Sequence, residues 1–364
     1  MSQPPTGATG TSTVVSVGSV LGPHTYPQEE ITAAFGRLVV PDPERRQLLE
    51  RFHLAAGVRQ RHLALPLPRY AELDGFTAAN EVFLDVGTAL GEQAVRSALD
   101  KAGLGPRDVD LLMSVTVTGV AAPSVDARLV PRLGLRADVK RVPVFGLGCV
   151  AGAAGVARLH DHLVGHPDDV AVLLAVELCS LTVQRDDDST PNLVASGLFG
   201  DGAAAVVMVG ERVARRIGVS GPQVVASRSR FYPDTDRVMG WDVGASGFRI
   251  VLSASVADVV REHVGLDVKD FLAGHGYGVD DVAHWVAHPG GPKVVAAIEE
   301  TLALPPTALD VTRRSLAENG NLSSASVLHV LADTMSGWPE RSGAPAVLMA
   351  MGPGFCSELV LLRW

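Results

Sequence analysis

The chain has 364 residues, 47% of them hydrophobic, and a formal net charge of −9. That length predicts two domains, or one duplicated domain, around a well-buried core. The acidic balance argues against nucleic acid as a partner, because phosphate binding needs a basic face, but it leaves room for an anionic ligand held by a few Arg or Lys residues.

Met1 to Thr13 is rich in Gly, Ser, Thr and Pro and has no basic stretch followed by an apolar one. It reads as a disordered tail and not as a signal peptide. Helical and strand-like runs then alternate: Glu81 to Ala102 (helix), Leu111 to Val117 (strand), Ser124 to Leu133 (helix) and Val142 to Gly146 (strand). Ala151 to Val164 follows as helix, with Val170 to Val176 and Gly202 to Val209 as strands. Such α/β alternation predicts a largely parallel sheet packed between helices. After a charged, Ser-rich segment, Ala226 to Asp242, the alternation resumes with helix Val256 to Val264, strand Ala283 to Ala287, helix Pro292 to Leu302 and strand Ala346 to Met351. The expected division is therefore a tail at 1–13, a first half at 14–225 and a second half at 226–364.

Val170 to Val176 and Ala346 to Met351 are too short to span a bilayer and read as central strands buried on both faces. Cys149, Cys179 and Cys356 make an odd count without a CxxC pair. This fits a reducing cytoplasm and argues against a disulfide framework or structural zinc. A cytoplasmic protein without a membrane or nucleic-acid partner is expected.

Strand, small-residue turn and helix recur at Phe145-Gly146-Leu147-Gly148-Cys149 and at Val286-Ala287-His288-Pro289-Gly290-Gly291. Two similar halves facing each other would bring both turns to one central cleft, a usual place for a ligand pocket. Cys149 falls near the amino end of a helix, where the helix dipole favours a thiolate. His288 ends a strand, and Pro292 suits the first turn of the next helix. Asn319-Gly320-Asn321 marks a tight turn, and Ser323 or Ser324 can cap the helix through His329 and Leu331. Gly352-Pro353-Gly354 is a turn signal. Taken singly, His288 also reads as a core histidine and Asn321 as a turn residue. His160, His162 and His166 crowd one helix, but 160 and 162 do not share a face, so no metal site is expected.

In chain order these pieces are more specific than any one alone. With Glu177-Leu178-Cys179-Ser180-Leu181-Thr182 and Gly197-Leu198-Phe199-Gly200-Asp201-Gly202, they resemble the type III polyketide synthases, the chalcone synthase-like branch of the thiolase-fold condensing enzymes. The bacterial members are the most similar, and the resemblance runs from about Ser16 to the C-terminus. It implies a five-layered αβαβα sandwich of two pseudo-repeated halves, an α/β thiolase fold, normally as a homodimer. Acyl-CoA and malonyl-CoA are the implied substrates, with no permanently bound cofactor and no carrier protein.

By this resemblance Cys149 is the acyl-carrying nucleophile, and His288 and Asn321 complete its triad. A thiolate attacks an acyl thioester, and a nearby imidazolium would keep it ionised. Decarboxylation of malonyl-CoA leaves an enolate, whose oxygen needs hydrogen-bond donors such as His288 Nε2–H and the Asn321 amide. Phe199 matches the family's gatekeeping phenylalanine. Ile250 stands where the plant enzymes have a second one, which suggests a different inner pocket. Thr118, Thr182, Gly240 and Ser323 fall where the family lines its cavity, and Ala122 replaces a plant methionine beside Pro123. Arg59, Arg61 and Lys293 are candidates for the CoA phosphates. Cys179 reads as packing or cavity wall, and Cys356 has no assigned chemistry.

The small or aliphatic Val117, Ala122, Val183 and Ile250 lean toward a fatty acyl starter, extended by malonyl-CoA and released as a pyrone, resorcinol or phloroglucinol-type product. The alternatives are a ketoacyl-ACP synthase III-like enzyme performing one condensation, a Cys-His-Asn thiol hydrolase, and a non-catalytic acyl-binding scaffold.

Overall fold

Alternate residues of the strand Val170–Leu178 face two different layers, in a computed structural model that describes residues 10–40, 42–338 and 343–364. Val172, Leu174 and Val176 pack with Phe83, Leu90 and Val95 of the long helix Gly75–Ala102. Ala171, Leu173 and Ala175 pack inward with Val156 and Leu159 of the helix Ala151–Gly165. The strand Pro345–Gly352 repeats the arrangement. Ala346, Leu348 and Ala350 join the inner cluster, while Val347, Met349 and Met351 meet Val260, Phe271 and Ile298 on the far side. Two-sided burial explains why both runs are apolar at every position. The layers are helix, sheet, paired central helices, sheet, helix.

From one edge, the sheet runs His284–Ala287, Pro345–Gly352, Cys356–Arg363, Gln223–Phe231, Ser12–Leu21, Asp201–Gly210, Val170–Leu178, Leu111–Thr116 and Lys140–Phe145. Its two halves meet where Ser12 pairs with Val224 and Thr13 with Gln223. Parallel pairing is confined to the flanks, and the five middle junctions are antiparallel. The sheet is thus mixed, not largely parallel, because Asp201–Gly210 and Cys356–Arg363 fold back on the strands before them. The segment Ala226 to Asp242 is not a linker. It contains most of the strand Gln223–Phe231 and the start of a hairpin, Met239–Gly244 with Gly247–Leu252.

Residues 1–9 of the expected tail lie outside the described residues. Ser12 and Thr13 are already strand and buried. The following β-branched Val14, Val15 and Val17 favour that strand, which the Gly/Ser/Thr composition before it concealed. The helix expected at Val256 to Val264 continues through a π turn, Val260–Val264, to Ala273. Among the described residues, no helix is long and apolar enough to cross a membrane.

The order of strands corrects one comparison. Leu111–Thr116 and His284–Ala287 occupy matching places, each parallel to the long buried strand of its half. The helices that lead into those buried strands, Ala151–Gly165 and Ser326–Gly337, therefore match each other. The turn of Cys149 corresponds to the turn of Asn321, not to that of His288. The two central helices touch closely enough that a Cβ on Gly152 would collide with the Ser324 carbonyl oxygen, so the two turns are held as one unit.

Candidate active site

Cys149 lies in the 3₁₀ turn Gly148–Val150, which runs directly into the helix Ala151–Gly165. Gly148 has φ +56, and a Cβ there would lie 2.7 Å from Pro353 Cδ. Only glycine fits both conditions. The Gly352-Pro353-Gly354 segment thus has a structural task, buttressing the turn that carries the sulfur.

Asn321 is fixed from its backbone. Its N–H donates to the Leu198 carbonyl at 2.8 Å, and its own carbonyl accepts from Gly200 N–H at 3.0 Å. Those bonds clamp it beside Phe199. Its side-chain Oδ1 accepts from Ser323 N–H at 2.8 Å, which leaves the amide N–H donors for other partners, the Cys149 sulfur among them. Ser323 adopts φ +47, a left-handed conformation rare for a residue with a Cβ, and its Oγ accepts from Cys149 Sγ–H at 3.7 Å. Strain of this kind gathers at functional sites.

His288 follows the strand His284–Ala287, with its N–H bonded to the Met349 carbonyl at 2.9 Å. The ring is buried, and its Nδ1 has no hydrogen-bond partner among the described residues. Cys149, His288 and Asn321 line a single cavity of about 350 Å³.

The electrostatics differ from the sequence-based expectation of a ready thiolate. Burial pushes the Cys149 thiol from 9.0 up to about 12, the Glu177 carboxylate adds to the rise, and the Ser323 and Asn321 hydrogen bonds oppose it. That rise amounts to roughly 4 kcal/mol against the thiolate. A helix amino terminus supplies only ~0.3–1 kcal/mol at an exposed site, so burial wins. Burial likewise pulls His288 down to about 3. Each group taken alone is therefore neutral at pH 7.

Glu177 is a member of this site to which the sequence reading gave no role. It is the last residue but one of the strand Val170–Leu178, fully buried. Its Oε2 accepts from Thr118 Oγ1 at 2.9 Å and from Val117 N–H at 3.1 Å, and its Oε1 accepts from Ser324 Oγ. It therefore ties a cavity wall residue, Val117, to the turn that carries Asn321. The signal available in sequence was a lone carboxylate inside an apolar strand.

Phe199, Gly240, Ile250 and Ser323 line the cavity, as does Cys179. Ile250 pairs across the hairpin with Trp241, which also faces the cavity. Thr118, Thr182 and Ala122 do not line it. Thr118 is turned to Glu177, Thr182 Oγ1 donates to the Cys179 carbonyl at 2.8 Å, and Ala122 lies on an exposed loop.

The three basic candidates separate clearly. Arg61 is buried, donating to Gln28 Oε1 at 2.9 Å and to the Phe199 carbonyl at 2.8 Å. It braces the Phe199 backbone from inside and is not available to a phosphate. Arg59 is exposed, pairs with Glu318 at 3.2 Å and lies off the cavity wall. Lys293 lies on the wall, in the first turn of the helix Pro292–Leu302. Phe52, Ala55 and Ala56, at the end of the helix Pro43–Ala55, also line the cavity. Nothing local in sequence marked them, because their helix is polar on most sides. All three cysteines are free, and Cys356 Sγ–H only donates to the Pro353 carbonyl at 3.2 Å.

Residues 2–212 match the family model of the N-terminal domain of chalcone and stilbene synthases, and residues 223–364 match that of the C-terminal domain. The chain is 58% identical over 355 residues to 1,3,6,8-tetrahydroxynaphthalene synthase of Streptomyces peucetius, covering 98% of this chain and 93% of that protein. It is 30% identical over 358 residues to 3,5-dihydroxyphenylacetyl-CoA synthase of Streptomyces toyocaensis, covering 96% and 90%. Among solved structures, 1,3,6,8-tetrahydroxynaphthalene synthase of Streptomyces coelicolor superposes with a TM-score of 0.90 at 30% identity, covering 97% of this chain and 99% of that one. The chain therefore belongs to the chalcone and stilbene synthase family: it is a type III polyketide synthase, an acyl-transferring condensing enzyme on the thiolase fold.

Proposed function

We propose that this synthase builds a polyhydroxynaphthalene, 1,3,6,8-tetrahydroxynaphthalene, from malonyl-CoA alone, with Cys149 as the carrier of the growing chain. The observation that carries the chemistry is the meeting of Cys149, His288 and Asn321 in one buried cavity. The 58%-identical relative of that name supports the product. Its naphthalene skeleton has ten carbons, hence five two-carbon units, and each malonyl group supplies two carbons after losing carbon dioxide. The alternating oxygens are those that repeated Claisen condensation leaves behind.

In this reading neutral His288 accepts the Cys149 Sγ proton as the sulfur attacks the malonyl thioester carbonyl. The carbon–sulfur bond to CoA breaks, and the departing CoA thiolate takes that proton from the imidazolium. His288 is then neutral again and able to donate an N–H. In the next malonyl-CoA the bond to the carboxylate breaks, and the electron pair passes into an enolate held by His288 N–H and the Asn321 amide. The enolate carbon attacks the Cys149 thioester, a carbon–carbon bond forms and the sulfur leaves. Such placed donors are typically worth ~3–4 kcal/mol each. Lys293 at the cavity wall is the cation best placed for the CoA phosphates.

A fatty acyl starter has less support than the sequence suggested. Ala122 is exposed, Val183 packs between the helices near Leu49 and Leu193, and Trp241 and Met239 take part in the wall. The volume of about 350 Å³ lies at the small end of the roughly 300–1,000 Å³ typical of ligand pockets, which suits a compact chain that folds on itself. A homodimer fits the open edge strand Lys140–Phe145, where Val142 is 38% and Phe145 48% exposed, since a lone chain seldom leaves such an edge bare. The test is to supply the purified protein with malonyl-CoA alone and weigh the products. The proposal predicts tetrahydroxynaphthalene. A requirement for an acyl-CoA starter, or for malonyl on a carrier protein, would overturn it.

A further inference from the structure

His162 and His166 lie at the opposite end of the helix Ala151–Gly165 from Cys149, roughly 20–25 Å away at 1.5 Å per residue. They are four residues apart and so share a face, unlike His160 and His162. Their rings stack with centroids 4.2 Å apart and planes within 9°. His166 Nδ1 lies 3.0 Å from the His162 carbonyl oxygen, which also accepts the His166 backbone N–H at 3.0 Å. As the hydrogen-bond donor, Nδ1 carries the ring proton, and the lone pair is on Nε2.

The chain then turns through Pro167 and Asp168. Asp169 N–H donates to the His166 carbonyl at 3.1 Å, and this turn returns the Asp169 carboxylate to the histidines, with Oδ2 2.9 Å from His162 Nε2. The ligand atoms of His162, His166 and Asp169 all lie within 4.8 Å of one another, the only such group of three or more among the described residues. Asp168 is turned away into a pair with Arg212 at 2.9 Å. Among the described residues, the cation paired with the cluster is Lys140, whose Nζ stands 3.6 Å from Asp169 Oδ2 and is half exposed.

We propose that His162, His166 and Asp169 form a binding site for one divalent transition-metal ion of the zinc, nickel or copper type. Two imidazole nitrogens and one carboxylate suit such ions, and three protein ligands leave room for water. The ion replaces the proton shared by His162 Nε2 and Asp169, which passes to solvent. Ligands at ~2.0–2.2 Å from a common centre must approach one another, a movement that side-chain rotation supplies at this partly open surface. The bound ion braces the carboxyl end of the nucleophile helix against the entry to the strand Val170–Leu178.

The test uses the full chain without an affinity tag, stripped with chelator and titrated with zinc chloride by calorimetry. One equivalent is expected to bind, and to bind equally well in Cys149→Ser and Cys179→Ser, which separates this site from the cavity thiols. His166→Ala and Asp169→Asn should each weaken binding about tenfold or more, while the metal-free variants melt as the parent does. With copper(II), electron paramagnetic resonance should show coupling to two imidazole nitrogens in the parent and one in His166→Ala. Absence of saturable binding, or binding undiminished in His166→Ala, overturns the proposal.

Discussion

In the proposed mechanism the Cys149 sulfur must become a thiolate, yet it is held where burial opposes its charge, and the neighbouring residues decide how that conflict is resolved. Burial raises the Cys149 thiol to about 12, with Ser323 and Asn321 pulling the other way. Burial lowers His288 to about 3, so its ring is uncharged at neutral pH, and in the proposed mechanism its free ring nitrogen takes the proton only as the sulfur attacks. Replacing His288 by Ala removes that acceptor and leaves burial in control. Alkylation of Cys149 by iodoacetamide at pH 7 should then slow by an order of magnitude or more, with its pH profile displaced to higher pH toward the buried thiol's own value. Equal rates in parent and variant would show that His288 does not take the proton. Asn321→Ala should lower condensation by ~10²–10³-fold while Cys149 still becomes acylated, because in the proposed mechanism the amide holds the enolate. The three residues stood out in sequence through the order of the motifs that carry them, whereas taken singly His288 also reads as a core histidine and Asn321 as a turn residue. The direction of the pKa shifts was not legible there, since that depends on how deeply the fold buries the turns.

Between elements, the site depends on close approach. Gly152 lets the nucleophile helix lie against the Ser324 carbonyl, so Gly152→Ala should cost ~1–3 kcal/mol by overpacking. A chemical denaturation curve checks this, and an unchanged midpoint would mean that the two central helices are not locked. The hairpin Met239–Leu252 is the opposite case, since a side chain at Gly240 would meet nothing within 4 Å and would project at a cavity wall. Gly240→Leu should therefore fold with normal stability and shift the products to shorter chains, as mass spectrometry would show. The apolar strands were readable because burial on both faces removes polar residues from them. The hairpin was not, because Ala226 to Asp242 carries charges on its solvent side, and neither was the equivalence of the Cys149 and Asn321 turns. That equivalence rests on which strands pair, which local similarity between Phe145–Cys149 and Val286–His288 could not reveal.

Over the whole molecule, two pseudo-repeated halves share a continuous sheet and a layer of central helices, and the cavity draws its key residues from both. Cys149 and Phe199 come from the first half, and His288 and Asn321 from the second. In the proposed mechanism this shared cavity grows a polyketide on one sulfur. Peptide mass spectrometry after brief incubation with malonyl-CoA tests it most directly. A thioester adduct should appear on the peptide containing Cys149, and Cys149→Ala should show neither the adduct nor any polyketide. Product formed by Cys149→Ala, or an adduct confined to Cys179, would contradict the account.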